Sequence, residues 1–357
     1  MSGDRKDDHV RLAAEQQASG PRRNGYDDVA FVHHALDGID VDRVTLSTEV
    51  ADAPWPLPFY INAMTGGSDM TGAVNRDLAI AARETGAAIA SGSVSIALGD
   101  PSVAPTFRVL REENPDGFVM ANLGVERSAD DARRAVELLE ANALQVHVNA
   151  VQETVMPEGS RSFSTWPSSL ERIIAAVDVP VIVKEVGFGL SSGTLRRLAD
   201  MGVAYADVSG NGGTDFVRVE NERRPQRDYG YLEGWGQSTV ACLLEAPAGA
   251  PTLLASGGVR SPLDVARALA LGAHAVGVSG SFLSVVLDGG AEALRDRIQE
   301  WTMHLGSLLA LLGAEDLTAL RTTDVVVSGA TAQFCAARGV DLTTLAQRSL
   351  GRSSNAR

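Results

Sequence analysis

The sequence predicts an α/β fold: a TIM (β/α)8 barrel with an N-terminal arm and a C-terminal helical extension. Two observations carry that reading. Between Pro58 and about residue 290, eight short apolar runs alternate with amphipathic helical stretches, the order that closes a parallel sheet on itself. The last two runs lie in PTLLASGGVRSPLDVARALALGAHAVGVSGSF, and each ends in a glycine turn. Leu253 to Ala255 and Ala275 to Val278 lack polar alternation, as parallel strands buried on both faces do. Ser256-Gly257-Gly258 and Ser279-Gly280 let backbone N–H groups approach a ligand closely, and Ser261-Pro262 opens the helix between them. Two such strand ends in succession make a phosphate grip; a pair of ordinary turns is the plainer alternative.

In chain order, residues 1–57 form a polar arm carrying RKDDHVRLA and FVHHAL, expected to contribute to the site. Residues 58–290 are the barrel, with strands in PFYINAMT, AAIASGS, GFVMANLG, LQVHVNA, PVIVKEVG, YADVSG, TLLASGG and AVGVSG. Helical stretches such as NRDLAIAARETG, DDARRAVELLEAN and SGTLRRLADMG separate them. The longest interruption, Asn211 to Gln237, follows the sixth strand; loops of that length at a carboxyl end cover or shape sites. Residues 291–345 read as helical, and 346–357, ending SLGRSSNAR, as a disordered tail.

The totals exclude several classes. The chain has 357 residues, 45% hydrophobic and 21% charged, which is ordinary for a globular protein. A net charge of −14 argues against nucleic acid and against an anionic membrane, so an anionic ligand needs a local cluster of cations. Cys242 and Cys335 form no CxxC pattern, so no disulfide framework or zinc site is indicated. With charged first residues and no apolar run of membrane length, a cytoplasmic setting is expected. Only two of the 31 basic residues are lysines, Lys6 and Lys184, and both fall at candidate site positions.

In a barrel of this kind the site lies at the carboxyl ends of the strands. Those ends supply Asn62 to Thr65, Ser91 to Ser93, Asn122, His147, Asn149, Lys184 and Ser209 to Thr214 before the glycine turns. This ring of neutral hydrogen-bonding groups with one lysine lacks paired glycosidase carboxylates and a Cys–His nucleophile. It suits a large planar cofactor with a phosphate tail. Lys184 would bring an ammonium to electron-rich cofactor atoms; an interior salt bridge to Glu185 or Glu153 is the alternative. Asn62 and Asn122 are open to ligand contact or turn capping. Gln152 and Glu153 follow the fourth strand. Glu153 is a candidate Mg²⁺ ligand, sharing the ion with substrate phosphates and water, or else a solvated loop carboxylate.

Over nearly its whole length the chain resembles the type 2 isopentenyl-diphosphate isomerases. The resemblance rests on RKDDHVRLA, YINAMTGGS, SGSVS, QVHVNAVQETVMPEG, VIVKEVG, VSGNGGTDF, GWGQST and ASGGVRSPLDVARALALGA, in that order. It implies isomerisation of isopentenyl diphosphate to dimethylallyl diphosphate with reduced FMN and Mg²⁺, the flavin being reduced by NADPH. It further implies that Arg5, Lys6 and His9 hold the diphosphate, with Ser93 and Asn149 also in contact. Gln152 would lie beside the reacting carbon skeleton, and Glu153 would bind Mg²⁺. FMN contacts would come from Ala63, Met64, Thr65, Ser93, Asn122, Lys184, Ser209 and Thr214. Gly257, Gly258, Val259, Arg260, Ser279 and Gly280 would complete them at the phosphate end. His147 and Gln152, or the flavin, would handle the second proton, and a homo-oligomer is expected.

Two departures stand out. Many members carry Arg two residues after Ser93, where this chain has Ser95, and the GTDF loop lacks the Trp or Asn that other members often place near its end. The chemistry agrees with the resemblance, because moving a double bond needs acid–base power that no side-chain pair here supplies, and such work falls to a cofactor. The alternatives are an FMN-dependent 2-hydroxy-acid oxidase and a non-catalytic phosphate-binding barrel. The oxidase needs a His base and an Arg where VSGNGGTD has Asn211 and Thr214; the retained Lys184, Gln152 and Glu153 argue against the inert barrel.

Overall fold

Eight parallel strands close into a barrel in the computed structural model, in which residues 2–18, 20, 23–62 and 65–352 are described, 2–5, 351 and 352 by their backbone alone. The strands are β1 (Phe59–Ile61), β2 (Ile89–Ala90), β3 (Val119–Gly124), β4 (Ala143–His147), β5 (Val181–Lys184), β6 (Tyr205–Asp207), β7 (Thr252–Ser256) and β8 (Ala275–Val278). Each pairs with its neighbours in chain order, and β8 closes on β1 with Val276 opposite Phe59. Their apolar runs have a simple cause: both faces are covered. Ile61, Ile89, Leu123, Leu144 and Val183 pack outward against helices, whereas Tyr60, Met120, Ile182 and Leu254 fill the interior near the amino-terminal ends.

The helices start where sequence chemistry asks. Ser68, Ser128, Ser191 and Ser261 each cap a helix through the side chain, and Pro262 occupies the first turn after Ser261. The helix after β8, Gly280–Leu311, breaks its geometry at Gly290 (φ 67°). The barrel's last helix therefore gives way there to the helix that Ile298, Trp301 and Leu305 anchor in the core.

The arm is not one unit on one face. Its helix Ser2–Ala18 folds back over the same barrel's carboxyl ends: Gln16 exchanges hydrogen bonds with the Asp215 backbone (2.9 and 3.2 Å). Thr48–Val50 and Ala53–Trp55, by contrast, form a hairpin at the opposite end, turning through Ala51 and Asp52 at φ 53° and 59°. That hairpin inserts Trp55 beneath Tyr60 and Phe118 (ring centroids 5.5 and 5.1 Å) and plugs the barrel floor. Part of the stretch read as a polar arm therefore belongs to the barrel floor, because a barrel open at its amino-terminal end needs such a plug.

The C-terminal extension also departs from a purely helical reading. Val325–Val327 pairs antiparallel with Val29–Phe31, tying the extension to the arm. The first part of the stretch read as a disordered tail is held as well. Residues 345–352 form a 3-10 helix in which Ser349 N donates to Asp324 (2.7 Å) and Arg348 donates to the Ala270 carbonyl (2.9 Å).

Candidate active site

The strand ends and the arm helix enclose a cavity of about 430 Å³, within the range of small-molecule sites. From the arm, Lys6 and His9 reach it; from the strand ends come Asn62, Ser93, Asn122, His147, Asn149 and Lys184. Gln152, Glu153, Ser209 and Thr214 line it further round, and Gly257 to Arg260, Ser279 and Gly280 close its far end. Thr65 does not line the cavity: it is buried behind the wall, its carbonyl accepting from Gly92 N (3.2 Å). The Arg5 side chain, Ala63 and Met64 lie outside the described residues.

The floor is a chain of amides pointing one way. His147 Nδ1 lies 2.9 Å from Asn122 Oδ1, Asn122 Nδ2 donates to Gln145 Oε1 (3.0 Å), and Gln145 Nε2 donates to Asn62 Oδ1 (3.3 Å). Asn62 Nδ2 completes it with a long contact of 3.5 Å to Asp207 Oδ2. Asp207 is fully buried and also accepts from Tyr60 Oη, Ser256 N and Ser209 N (3.0, 2.9 and 3.1 Å). Because Asn122 donates onward through its nitrogen, its oxygen is the acceptor and His147 carries its proton on Nδ1, leaving Nε2 as an acceptor. Burial, with the charges of Lys184, Lys6 and Arg127, pushes His147 down to about 3, so the ring stays neutral. Lys184 donates to the Glu185 carbonyl (2.8 Å) instead of a carboxylate. Burial lowers its ammonium, opposed by Asp207 and Glu185.

Above the floor, Glu220 organises the mouth. Its carboxylate is completely buried and accepts from Gln152 Nε2 (2.8 Å), lies 3.1 Å from His9 Nε2, and pairs with Arg223. Burial would raise this carboxyl, but His9, Gln152 and Arg223 outweigh it and hold Glu220 at about 2. Gln152 is fixed from its other side by Asn149 Nδ2, which donates to Gln152 Oε1 (3.3 Å).

Glu220, Asp207 and Gln145 are the residues the sequence reading missed. Asp207 and Gln145 had a signal: a polar side chain inside a strand buried on both faces must be paired within the barrel. Gln145, His147 and Asn149 also alternate at the strand period, which aims them to one side. Glu220 had none, since its helix Phe216–Glu222 lies inside the long loop.

The far end fits a phosphate tail. A Cβ at Gly257 (φ 94°) would sit 2.1 Å from the Gly210 carbonyl, and one at Gly213 would sit 2.7 Å from Gly258 N. Only glycine lets these two turns nest, which leaves a cradle of backbone groups. Arg260 lines the same end. Its guanidinium is forked by Asp27 (2.8 and 3.0 Å) and held by Asp264 (3.0 Å), while its N–H donates to Asp264 (3.1 Å). It braces the turn from behind, and Asn24 assists by donating to the Gly258 carbonyl (2.8 Å).

Glu153 accepts from Asn149 Nδ2 (3.2 Å) and Ser160 N (2.7 Å). No group of three or more His, Cys, Asp or Glu able to hold a metal exists among the described residues. One carboxylate fits only a cation that a ligand's phosphate oxygens and water complete.

This barrel, with its glycine cradle and polar floor, is that of the FMN-dependent dehydrogenase class, whose sequence profile matches residues 111–327. Solved structures show the same fold: a flavocytochrome b2 variant with pyruvate bound (TM-score 0.67, 18% identity, 98% of this chain and 85% of that one) and a mandelate oxidase variant (0.60, 20%, 90% and 91%). Far closer in sequence is the isopentenyl-diphosphate delta-isomerase of Kitasatospora griseola, 62% identical over 98% of this chain and 96% of that protein. Those of Streptomyces sp. (strain CL190) and Staphylococcus haemolyticus (strain JCSC1435) are 58% and 47% identical, over 98% and 95% of this chain and 96% and 97% of theirs. The chain belongs to the isopentenyl-diphosphate delta-isomerases, in their FMN-dependent type 2 form, and is an isomerase. The oxidase alternative also fails on geometry, because Asn211 is spent bracing the long loop through the Gly234 and Gly236 carbonyls (3.4 and 3.2 Å).

Proposed function

We propose that this chain converts isopentenyl diphosphate to dimethylallyl diphosphate with reduced FMN and Mg²⁺, NADPH being the reductant that readies the flavin. The observation that carries the reading is the Gln152 carboxamide, fixed between Asn149 and the buried Glu220 in a cavity whose far end is a phosphate cradle. Bound reduced FMN would supply the exchangeable proton that no side-chain acid here offers. Residues 58–290 would hold it: the turns at Gly257–Gly258 and Ser279–Gly280 would take the phosphate, and Asn122, Lys184, Ser209 and Thr214, which line the same cavity, would face the ring system.

The rest of the work belongs to the mouth. Lys6 and His9, with Arg5 beside them, bind the diphosphate. Glu153 shares Mg²⁺ with its oxygens, and Ser93 and Asn149 complete the contacts. Gln152 lies along the carbon skeleton. His147, neutral and with Nδ1–H committed to Asn122, offers an acceptor and carries no proton into the reaction. The arm helix lies along one side of the cavity. Among the described residues no helix is long and apolar enough to cross a membrane; a cytoplasmic homo-oligomer is the expected form. The test is an anaerobic isomerisation assay with FMN, Mg²⁺ and NADPH, omitting each in turn. Each omission should abolish or sharply reduce conversion; full conversion by flavin-free protein would overturn the proposal.

A further inference from the structure

We propose that Arg127 is a substrate-binding residue whose guanidinium takes phosphate oxygens of the diphosphate at the cavity mouth. This rests on the diphosphate reading above. A chain of net charge −14 must meet a polyanion with cations gathered locally. Among the described residues, Lys6, His9, Arg127, Lys184 and Arg260 are the cationic or protonatable candidates on the cavity wall, His147 being held neutral. Arg260, Lys184 and His9 each face another group. Arg260 is forked by Asp27 and held by Asp264, Lys184 sits at the floor on the Glu185 carbonyl, and His9 contacts Glu220.

Arg127 makes a looser pair, with Glu126 (3.7 Å). It follows β3, its backbone anchored by a bond from its N–H to the Gly124 carbonyl (3.1 Å), and its side chain is 38% exposed. Its Nε is nevertheless shielded from solvent and has no hydrogen-bond partner. Glu126 Oε1 lies 3.7 Å from that Nε, beyond hydrogen-bond reach. A shielded N–H of a charged group without an acceptor is costly, and a phosphate oxygen entering the mouth would satisfy it. The charge of Arg127 acts on His147 together with those of Lys184 and Lys6, so it bears on the same part of the site. A planar fork suits phosphate better than a point donor does. On the same cavity Ser95 offers only a hydroxyl, which accepts from Ser93 Oγ (3.1 Å). Arg127, at the end of β3, brings a guanidinium to that same cavity.

The test uses FMN-loaded wild type, R127Q, R127K and the double variant R127Q/S95R. Binding of inorganic pyrophosphate with Mg²⁺ is measured by calorimetry, and KM for isopentenyl diphosphate by isomerisation. R127Q should weaken pyrophosphate and raise KM in parallel by about 10- to 100-fold, the loss of a charge-assisted contact. Flavin content should be unchanged, R127K should recover part of the loss, and S95R should restore part of it in the double variant. Pyrophosphate affinity and KM within twofold of wild type in both R127Q and R127K would overturn the proposal. If wild type left isopentenyl diphosphate unconverted, the isomerase reading would fall, while the pyrophosphate titration would still decide Arg127.

Discussion

Replacing Glu220 with Gln removes the one charge on which the arm helix and the Gln152 loop converge. The magnitude follows from its ionisation. The carboxyl ionises near 4.5 when unconstrained and at about 2 in the folded chain. That difference is worth roughly 3 kcal/mol of stability at neutral pH. Because the folded value is depressed, this contribution is fully present above 4.5 and lost as pH falls toward 2. Urea unfolding at matched FMN concentration should therefore place E220Q about 3 kcal/mol below wild type at pH 7, with the gap shrinking to roughly 1.5 kcal/mol near pH 3. Gln152 loses its acceptor and His9 its neighbouring carboxylate, while Arg223 keeps Glu158 (2.8 Å). A displacement of about 1 Å at the mouth should lower kcat/KM about 100-fold. Flavin content should hold, since Glu220 does not line the cavity or touch the glycine turns. A stability gap that stayed constant with pH, or near-normal kcat/KM, would refute the reasoning.

The remaining expectations are shorter. Glu153→Gln should raise the Mg²⁺ concentration needed for half-maximal turnover by at least about 10-fold with flavin absorbance intact, as a single hard oxygen ligand implies; an unchanged Mg²⁺ titration would remove Glu153 from the metal. Asp27→Asn should weaken FMN about 10-fold, read by flavin fluorescence on titrating apoprotein, because Arg260 loses its bidentate carboxylate; wild-type affinity would show that the brace is idle. Glu185 is lifted by burial to about 7 despite bonds from Phe188 N and Val186 N, so wild type should lose stability as pH rises from 4.5 through 7. Glu185→Gln should flatten that slope and be the more stable form at pH 8; a slope that survived the substitution would assign it to other groups.

How much of this was legible in the sequence depended on whether a feature is made by neighbours in the chain. The eight strands, the cap at Ser261, and the glycine turns at Gly257 and Ser279 are local. Each is dictated by burial on both faces or by backbone conformation within a few residues. The strand-end ring followed from the fold, because a barrel leaves only one end for chemistry. The hairpin that carries Trp55 was not legible, since its three-residue strands are too short for a period and its apolar partners, Tyr60 and Phe118, belong to the barrel. Nor was the bracing of Arg260, whose partner Asp27 is 233 positions away.

The two ends of the cavity show why the cofactor was easier to read than the substrate. A phosphate tail is held by main-chain turns, and a turn that must be glycine announces itself in the sequence, as Gly257 and Gly213 do. The mouth is assembled from side chains on separate elements. His9 from the arm, Gln152 after β4 and Glu220 from the long loop meet through one carboxylate. None of the three is unusual in its own stretch, and His9 is useful only because Glu220 waits for it 211 positions later. Resemblance could therefore pick out His9 and Gln152, while the group that holds them together emerged only from the fold. Arg127 extends the same logic: the cation proposed for the mouth is defined by where its charge arrives, at the end of β3, and nothing in its own stretch of sequence marks it.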